Sequence, residues 1–422
     1  MKPKKMMLLL AVLAMASWSF VETETPKPNL KQYDAQIVLE WNQIAYESMG
    51  ENYQHSLLAA RINAMTHLAI HDALNAIEPN FQTYSFRGND ELADPVAAAS
   101  VAAYTILINT CANKKQMLDE KLNQALSRVK NKEGKARGIT LGKQAANAIL
   151  ARRNRDGAEL DPIAKLASNN TPGIYQAVPP FDFVFAPHWK TMQTFSLKSP
   201  EQFRCLPPPA LNSSAYSKAF NEVKQDGGKS STTRTADQTS YAQFWYEFSE
   251  IGWNRVARTA VADQKLNLPD AARLMALLNM AMADSYTAGW DSKFYYNFWR
   301  PFTAIRNAEK DKNNATEPDA NWEPLMPTPP VHDYPSTHSA LGNAAATVLT
   351  KLIGSRPFSM TSTTAVIAGE KRSFNSFLRA ADENADSRVK AGIHFRFACE
   401  AGQELGNKVG EWTVQNHLKQ LT

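Results

Sequence analysis

The stretch KFYYNFWRP, from Lys293 to Pro301, decides which fold and which kind of site this chain is expected to have. Lys293 and Arg300 are seven residues apart, or two helical turns, so on one helix both cationic heads would project from the same face. The residues between them are mainly aromatic, and too apolar for a solvated surface. A cation buried among aromatic side chains needs an anionic partner, because an unpaired buried charge is costly. The stretch therefore predicts a buried anion site at the end of an apolar helix.

Two stretches further along the chain complete this site: Tyr334-Pro335-Ser336-Thr337-His338 and Ser387-Arg388-x3-Gly392-Ile393-His394. Ser336 precedes an Ala-rich run, so its hydroxyl and the Thr337 N–H should lie at a helix N-terminus, which favours an anion. Arg388 adds a third cation. One of the histidines could exchange a proton with the anion and the other could bond to its central atom. The three stretches together predict a site for a tetrahedral or trigonal-bipyramidal oxyanion.

The rest of the chain has the pattern of a helical protein. Apolar residues recur at steps of three and four over residues 43–77, 95–126 and 138–152, and we find no alternating strand pattern of any length. We predict an all-α fold with two packed helical bundles: residues 30–152, and residues 216–422 carrying the site. A Pro-rich, aromatic segment, 153–215, would be an ordered connection between them. Within the second bundle we expect one long helix, or two in line, over 266–300, and a helix over 361–380, among others.

The first twenty residues differ from the rest of the chain. Three lysines precede an apolar run that ends in Ala14-Met15-Ala16, which is typical of a secretory signal peptide over residues 1–20. We therefore expect an exported protein, periplasmic or secreted. Removing the segment lowers the formal net charge from +5 to about +2, which gives no reason to expect a nucleic acid partner. No later run reaches the ~18 apolar residues of a membrane span.

Two other patterns point away from metal chemistry. Cys111, Cys205 and Cys399 are few and far apart, so they form neither a disulfide framework nor a metal-ligand motif. His67 and His71 have the spacing of a zinc pair, but the sequence lacks the glutamate that the zinc protease motif places after the first histidine. We expect these histidines to form hydrogen bonds between helices.

The three stretches resemble the vanadium-dependent haloperoxidases, which share a superfamily with type 2 phosphatidic acid phosphatases and bacterial acid phosphatases. The likeness exceeds the signature shared with the phosphatases. Trp290 stands three residues before Lys293, and both FWRP at 298–301 and GIHFRF at 392–397 are similar to the haloperoxidase branch. The likeness covers most of residues 160–410. It implies two helical bundles of the haloperoxidase/acid phosphatase type, with vanadate as cofactor.

The resemblance also implies roles for individual residues. His394 would be the axial ligand of vanadate, His338 the acid–base group, and Lys293 would polarise the peroxide. The oxygens of the anion would be bound by Lys293, Arg300, Ser336, Arg388 and the N–H of Thr337. Hydrogen peroxide and a halide would be the substrates. In the phosphatase alternative the ligand is phosphate: a small phosphate ester is attacked by His394, and His338 protonates the leaving group.

Halide choice in this family depends on the position seven residues before the acid–base histidine. In this chain that position is Val331, and His332 lies beside it. Together with Trp290, these residues are the candidates for the halide pocket. The resemblance leaves the halide itself open.

One residue departs from the family pattern and one role is left unassigned. The family most often has glycine where this chain has Thr337, whose branched side chain restricts the loop and crowds the anion. The family also places a carboxylate behind the acid–base histidine, His338 here. Glu247 and Asp333 are the two candidates for that role.

Overall fold

The computed structural model describes residues 27–49, 55–167 and 169–421, so the predicted signal peptide lies outside the described residues. Within this part of the chain there are thirteen α-helices and four short β-strands. They are α1 (Gln36–Met49), α2 (Ser56–Asn75), α3 (Pro95–Thr110), α4 (Lys115–Ser127), α5 (Lys132–Arg152), β1 (Ile163–Lys165), β2 (Phe183–Phe185), α6 (Ser214–Asp226), α7 (Ala236–Phe244), α8 (Ser249–Asp263), α9 (Leu268–Tyr296), α10 (Pro301–Arg306), α11 (Thr337–Ile353), β3 (Phe358–Thr361), β4 (Lys371–Phe374), α12 (Phe377–Lys390) and α13 (Arg396–Asn416).

The predicted all-α class is confirmed, since the strands form only two antiparallel pairs, β1 with β2 and β3 with β4. The expected helix over 361–380 is wrong in its first part. There the chain forms β4, and α12 begins at Phe377. Gly369 turns the chain between the two strands with a φ of +86°, a conformation that interrupts any helix.

The two cations of the opening stretch do not share one helix. α9 ends at Tyr296, and Asn297 follows in the left-handed conformation with a φ of 49°. Arg300 is the N-cap residue of α10, whose first residue is Pro301. The helix expected over 266–300, as one or as two in line, is therefore wrong at its end, because a left-handed residue redirects the chain before Arg300.

The centre of the molecule is built on two helices that are buried almost all round. α2 and α9 pack against each other, and α9 also packs against α11. A helix that is buried on every face belongs to the interior of a fold. One hydrophobic core includes residues from Leu30 to Leu418, so it draws on both predicted bundles. The domain boundaries given by the sequence stay a prediction.

α11 and α13 hold the site region rigidly because their backbones lie unusually close together. Gly402 and Gly406 of α13 face the carbonyls of Ser336 and Ala340, and a Cβ atom at either glycine would collide with them. Close backbone approach of this kind requires glycine. The N-terminus of α11, where the predicted anion site begins, is thus fixed against α13.

The three cysteines and the two histidines of α2 have no metal-binding arrangement among the described residues. The cysteines are all free. His67 forms a hydrogen bond with Asn42 of α1 at 2.8 Å, as expected, and His71 with the carbonyl of Gln82 at 3.1 Å. Within the described ranges, no group of three or more His, Cys, Asp or Glu side chains is arranged to hold a metal ion.

No single helix of the described segments is long and apolar enough to cross a bilayer. One pair of helical segments, Pro95–Thr110 and Ala112–Ser127, meets the length and composition criteria jointly, with a bend of 118° between them.

A carboxyl group is buried in this core beside the predicted site. Glu250 of α8 is completely buried, and its Oε2 accepts a hydrogen bond from the hydroxyl of Tyr286 at 3.1 Å. Burial is the main cause that raises the pKa of Glu250 to about 8. Between pH 4.5 and about 8, Glu250 is therefore mainly protonated in the folded protein. In the unfolded chain, where its pKa is 4.5, it is mainly ionised over the same range.

We expect Glu250→Gln to make stability less sensitive to alkaline pH. A raised carboxyl pKa contributes stability that falls as the pH rises from about 4.5 to about 8, and glutamine removes this contribution. The free energy of unfolding of the variant minus that of the wild type should therefore increase between pH 5 and pH 9. Urea unfolding of both proteins across this range measures the difference. A difference that stays constant with pH would show that Glu250 is ionised throughout.

Candidate active site

The predicted oxyanion residues converge from five parts of the fold. Lys293 lies in the last turn of α9, Arg300 caps α10, and residues 336–338 begin α11. Arg388 lies in the last turn of α12, and His394 in the loop before α13. The pKa of His394 is held well below its ordinary value, first by burial and then by nearby Arg300, Lys293, Arg388 and His338. The three sequence stretches thus meet at His394.

This site lies at one end of a cavity of about 990 Å³. Among the described residues that line it are Arg300, Thr337, His338, Arg388 and His394. Lys293 and Ser336 are completely buried and lie outside that lining. Ser336 caps α11 as predicted, since its hydroxyl oxygen accepts from the backbone N–H of Ser339 at 3.3 Å.

The buried cations are held mainly by backbone carbonyls. Lys293 Nζ donates to the carbonyls of His332 at 2.6 Å and Asp333 at 3.0 Å. Arg300 donates to the carbonyls of Val331 at 2.6 Å and Ile393 at 2.7 Å. A carbonyl fixes a cation in place without cancelling its charge. Burial, and then the charge of Arg300, lowers the pKa of Lys293 well below its ordinary value, against the opposing effect of Asp333.

One carbonyl at the end of α7 positions two site residues together. The carbonyl of Trp245, the C-cap residue of α7, accepts from His338 Nε2 at 2.8 Å and from Arg388 Nη1 at 3.1 Å. Helix C-termini carry unpaired carbonyls and a partial negative charge, which suits donors of this kind. Since Nε2 of His338 donates, its Nδ1 carries the lone pair. A second nitrogen of Arg388, Nε, is buried and has no hydrogen-bond partner among the described residues.

His394 is oriented by a carboxylate. Its Nδ1 lies 2.9 Å from Asp333 Oδ1, and its Nε2 lies 3.0 Å from Arg300 Nη1. These partners assign the proton to Nδ1 and leave the lone pair on Nε2. A histidine whose one nitrogen faces a carboxylate and whose other carries a lone pair is arranged as a metal ligand. Burial raises the pKa of Asp333 to about 7, against the opposing effect of Arg300 and Lys293.

Neither of the two carboxylates proposed as the partner of His338 forms a hydrogen bond with its ring. Asp333 lies beside His394 instead, and Glu247 forms an ion pair with Arg255 at 2.7 Å. The partner that the structure gives to the His338 ring is the carbonyl of Trp245. A backbone carbonyl carries no sequence signal, which explains the error.

The loop between Arg388 and His394 depends on one glycine. Gly392 has a φ of +80°, and a Cβ atom there would collide with the carbonyl oxygen of Gly227. Only glycine takes this conformation without strain. The turn ends α12 after Arg388 and brings His394 back towards Arg300.

Thr337 is accommodated by a glycine on the facing helix. Its γ-methyl group lies where a Cβ atom at Gly289 would be, one residue before Trp290 on α9. The Thr337 methyl group, which was expected to crowd the anion, therefore packs against α9, because Gly289 leaves space for it. Sequence inspection missed this pair, although a glycine within a long apolar helix often marks close packing.

The halide-pocket candidates separate into two groups. Trp290 and Val331 both line the cavity, and Trp290 Nε1 donates to the carbonyl of Phe185 at 3.3 Å. His332 is not among the described residues of the lining. Its ring packs against Tyr175 and Phe294, with centroid distances of 4.7 and 4.5 Å. The carbonyl of His332, rather than its ring, serves the site by holding Lys293.

Known proteins resemble this chain in sequence. Residues 273–422 match the family model described as VCPO second helical-bundle domain. Vanadium chloroperoxidase of Curvularia inaequalis is 24% identical over 514 aligned positions, which cover 91% of this chain and 83% of that protein.

Solved structures show the same relationship. The first bacterial vanadium-dependent iodoperoxidase superposes with a TM-score of 0.81 at 26% identity, covering 94% of this chain and 99% of that one. A holo-type bacterial vanadium-dependent chloroperoxidase gives 0.72 at 15% identity, covering 92% and 98%, and thus shares the fold. The chain is thus similar to vanadium-dependent haloperoxidases, in the sequence of residues 273–422 and in the fold as a whole.

Proposed function

We propose that the protein is an exported vanadium-dependent haloperoxidase, which oxidises a halide with hydrogen peroxide at a vanadate held by His394. The observation that carries the proposal is the set of three buried cations, Lys293, Arg300 and Arg388, bound mainly to carbonyls and gathered around one neutral histidine. Such a cluster has an excess of positive charge, which an oxyanion compensates.

The donor set fits vanadate. His394 Nε2 carries the lone pair that would bond to vanadium, and Arg388 Nε is a buried donor without a partner among the described residues. Lys293, Arg300, Arg388, the Ser336 hydroxyl and the Thr337 N–H would hold the oxygens. Vanadate, when bound, supplies a Lewis acid that activates peroxide for oxygen transfer to halide.

His338 would move the proton. Burial, together with the charge of Arg388, holds its pKa well below 6.5, so the ring is neutral at physiological pH. With Nε2 bound to the Trp245 carbonyl, Nδ1 is the atom that would accept a proton from hydrogen peroxide and later return it. Trp290 and Val331 line the same cavity and would contact the halide. The predicted signal peptide supports export.

A phosphate monoesterase is the alternative, because the same cations and histidines would serve it. The cavity weighs against it. Next to the site the walls include Tyr286, Trp290 and Phe185, which offer mainly apolar surface to an ester's leaving group.

The deciding experiment loads the purified protein with orthovanadate and measures oxidation of iodide, bromide and chloride by hydrogen peroxide. A vanadate-free portion is assayed on a phosphate monoester. We expect vanadate-dependent halide oxidation. Phosphate release without any halide oxidation would reverse the proposal in favour of the phosphatase.

A further inference from the structure

The carbonyl of Trp245, which holds His338 and Arg388, is itself fixed through the Trp245 side chain. The indole ring is buried and stacks on that of Trp253, with ring centroids 5.9 Å apart. Its Nε1 donates to Oε1 of Glu383 on α12 at 3.0 Å. An indole has only this one donor, so the stacking and this single hydrogen bond together define the orientation of the ring.

Glu383 is in turn held by a bidentate ion pair. Its two carboxylate oxygens accept from Arg372 Nε at 2.7 Å and from Arg372 Nη2 at 2.8 Å. Nη1 of the same arginine donates to Asp237, in the first turn of α7, at 2.9 Å. Paired donors of this kind fix geometry as well as charge. The first turn of α7 is thus tied to Glu383 through Arg372, and the residue that ends the helix is tied to it directly.

The same helix, α12, also contacts His338. Asn384, the residue after Glu383, donates to the backbone carbonyl of His338 at 3.2 Å. Arg388, one turn later, donates to the carbonyl of Trp245. α12 therefore positions both the histidine and the oxygen to which its ring donates. A shift of either would lengthen the 2.8 Å contact between His338 Nε2 and that oxygen.

Glu383 itself lies apart from the reacting groups. It lines a second, smaller cavity of about 450 Å³, and no described residue lines both this cavity and that of the site. Its side chain is 21% exposed. An effect of its carboxylate on the reaction therefore has to be transmitted by the groups that it binds, and of these Trp245 is the one that contacts His338.

We propose that Glu383 is a positioning residue of the active site, because through the Trp245 side chain it holds the carbonyl that orients His338. An effect on turnover rests on the proposed function, but the orientation of His338 does not. Without the bond to Glu383, the end of α7 is free to move. His338 then loses the acceptor that keeps its proton on Nε2, so its Nδ1 lone pair is no longer held in place.

The test compares Glu383→Leu, which removes the acceptor, with Glu383→Gln, which keeps an acceptor for the indole N–H. The first readout is the ratio of the two neutral forms of His338 in the vanadate-free protein. Nitrogen NMR chemical shifts of the histidine rings measure it, and loss of the signal in His338→Gln assigns it. We expect the form protonated on Nε2 to predominate in the wild type and in Glu383→Gln, and a mixture of forms in Glu383→Leu.

The second readout is turnover. Glu383→Leu should lower kcat for vanadate-dependent iodide oxidation about tenfold, the lower end of the range for residues that support a metal site from outside. Vanadate affinity should weaken by a similar factor, because Arg388 shares the carbonyl. Glu383→Gln should remain close to the wild type. The matched control is Asp382→Leu, which removes the preceding carboxylate of α12, paired on the surface with Arg379, and should change neither quantity.

A third variant shows whether Glu383 acts through Trp245. Trp245→Phe removes the indole donor but keeps an aromatic ring and the carbonyl. Adding it to Glu383→Leu should lower kcat no further than the larger single loss, since both changes break one bond. Trp245→Phe alone should also give the mixture of His338 forms, so the test stands even if Glu383→Leu does not fold.

Three results would overturn the proposal. They are additive losses in the double variant, equal losses in Glu383→Leu and Asp382→Leu, and an unchanged His338 form in both Glu383→Leu and Trp245→Phe. A protein without halide oxidation, in which the form of His338 still depends on Glu383 as expected, would support the positioning role and contradict only the proposed function.

Discussion

Replacing His394 by alanine should abolish vanadate-dependent halide oxidation, with a loss of at least about 10³-fold, or ~4 kcal/mol of transition-state stabilisation. The expected cause is removal of the Nε2 lone pair, which accepts from Arg300 Nη1 in this structure and would bond to the metal when vanadate is bound. Vanadate affinity should fall with the activity. Both quantities are measured on the same protein, by equilibrium dialysis against orthovanadate and by triiodide formation from iodide.

The matched control for this change is His188→Ala. His188 is half-buried and lies outside the described lining of the cavity, so its removal tests the general cost of losing a histidine. Circular dichroism should show both variants folded. If His394→Ala retained near wild-type affinity and turnover, another residue would have to hold the metal.

Replacing His338 by alanine should separate turnover from binding. General acid–base groups contribute about 10²–10⁴-fold to a rate, and we expect a loss in that range. Vanadate affinity should change only a few-fold, because His394 and the three cations remain in place. The measurement is kcat for iodide oxidation beside the dissociation constant of vanadate. A loss of affinity as large as that of His394→Ala would make His338 a ligand instead of a proton carrier.

The sequence was informative where side chains alone carry the chemistry. The spacing of Ser336 before an Ala-rich run predicted a helix cap, and the structure confirms the cap. Lys293, Arg300, Arg388 and His394 were predicted to meet, and they do. Charged groups among apolar residues are expensive to bury, so they leave a strong signal in a sequence.

The sequence could not predict the hydrogen bonds that backbone carbonyls accept from the site residues. The carbonyls that hold Lys293, Arg300 and Arg388 belong to residues of any type, and no pattern marks them. The same limit explains the error over Asp333, which was placed behind the wrong histidine. Its position depends on the left-handed turns at Asn297 and Gly392, which bring distant segments together after the helices have ended.

The shared carbonyl of Trp245 makes the length of α7 a constraint on the site, in addition to the packing of the buried Trp245 side chain. His338 and Arg388 both contact a backbone oxygen, whose position is set by where the last turn of α7 ends. Deleting a single residue within α7 would rotate its last turn by about 100° and withdraw that oxygen from both. Proton transfer and anion binding would then be lost in one step, so the length of α7 links the two functions.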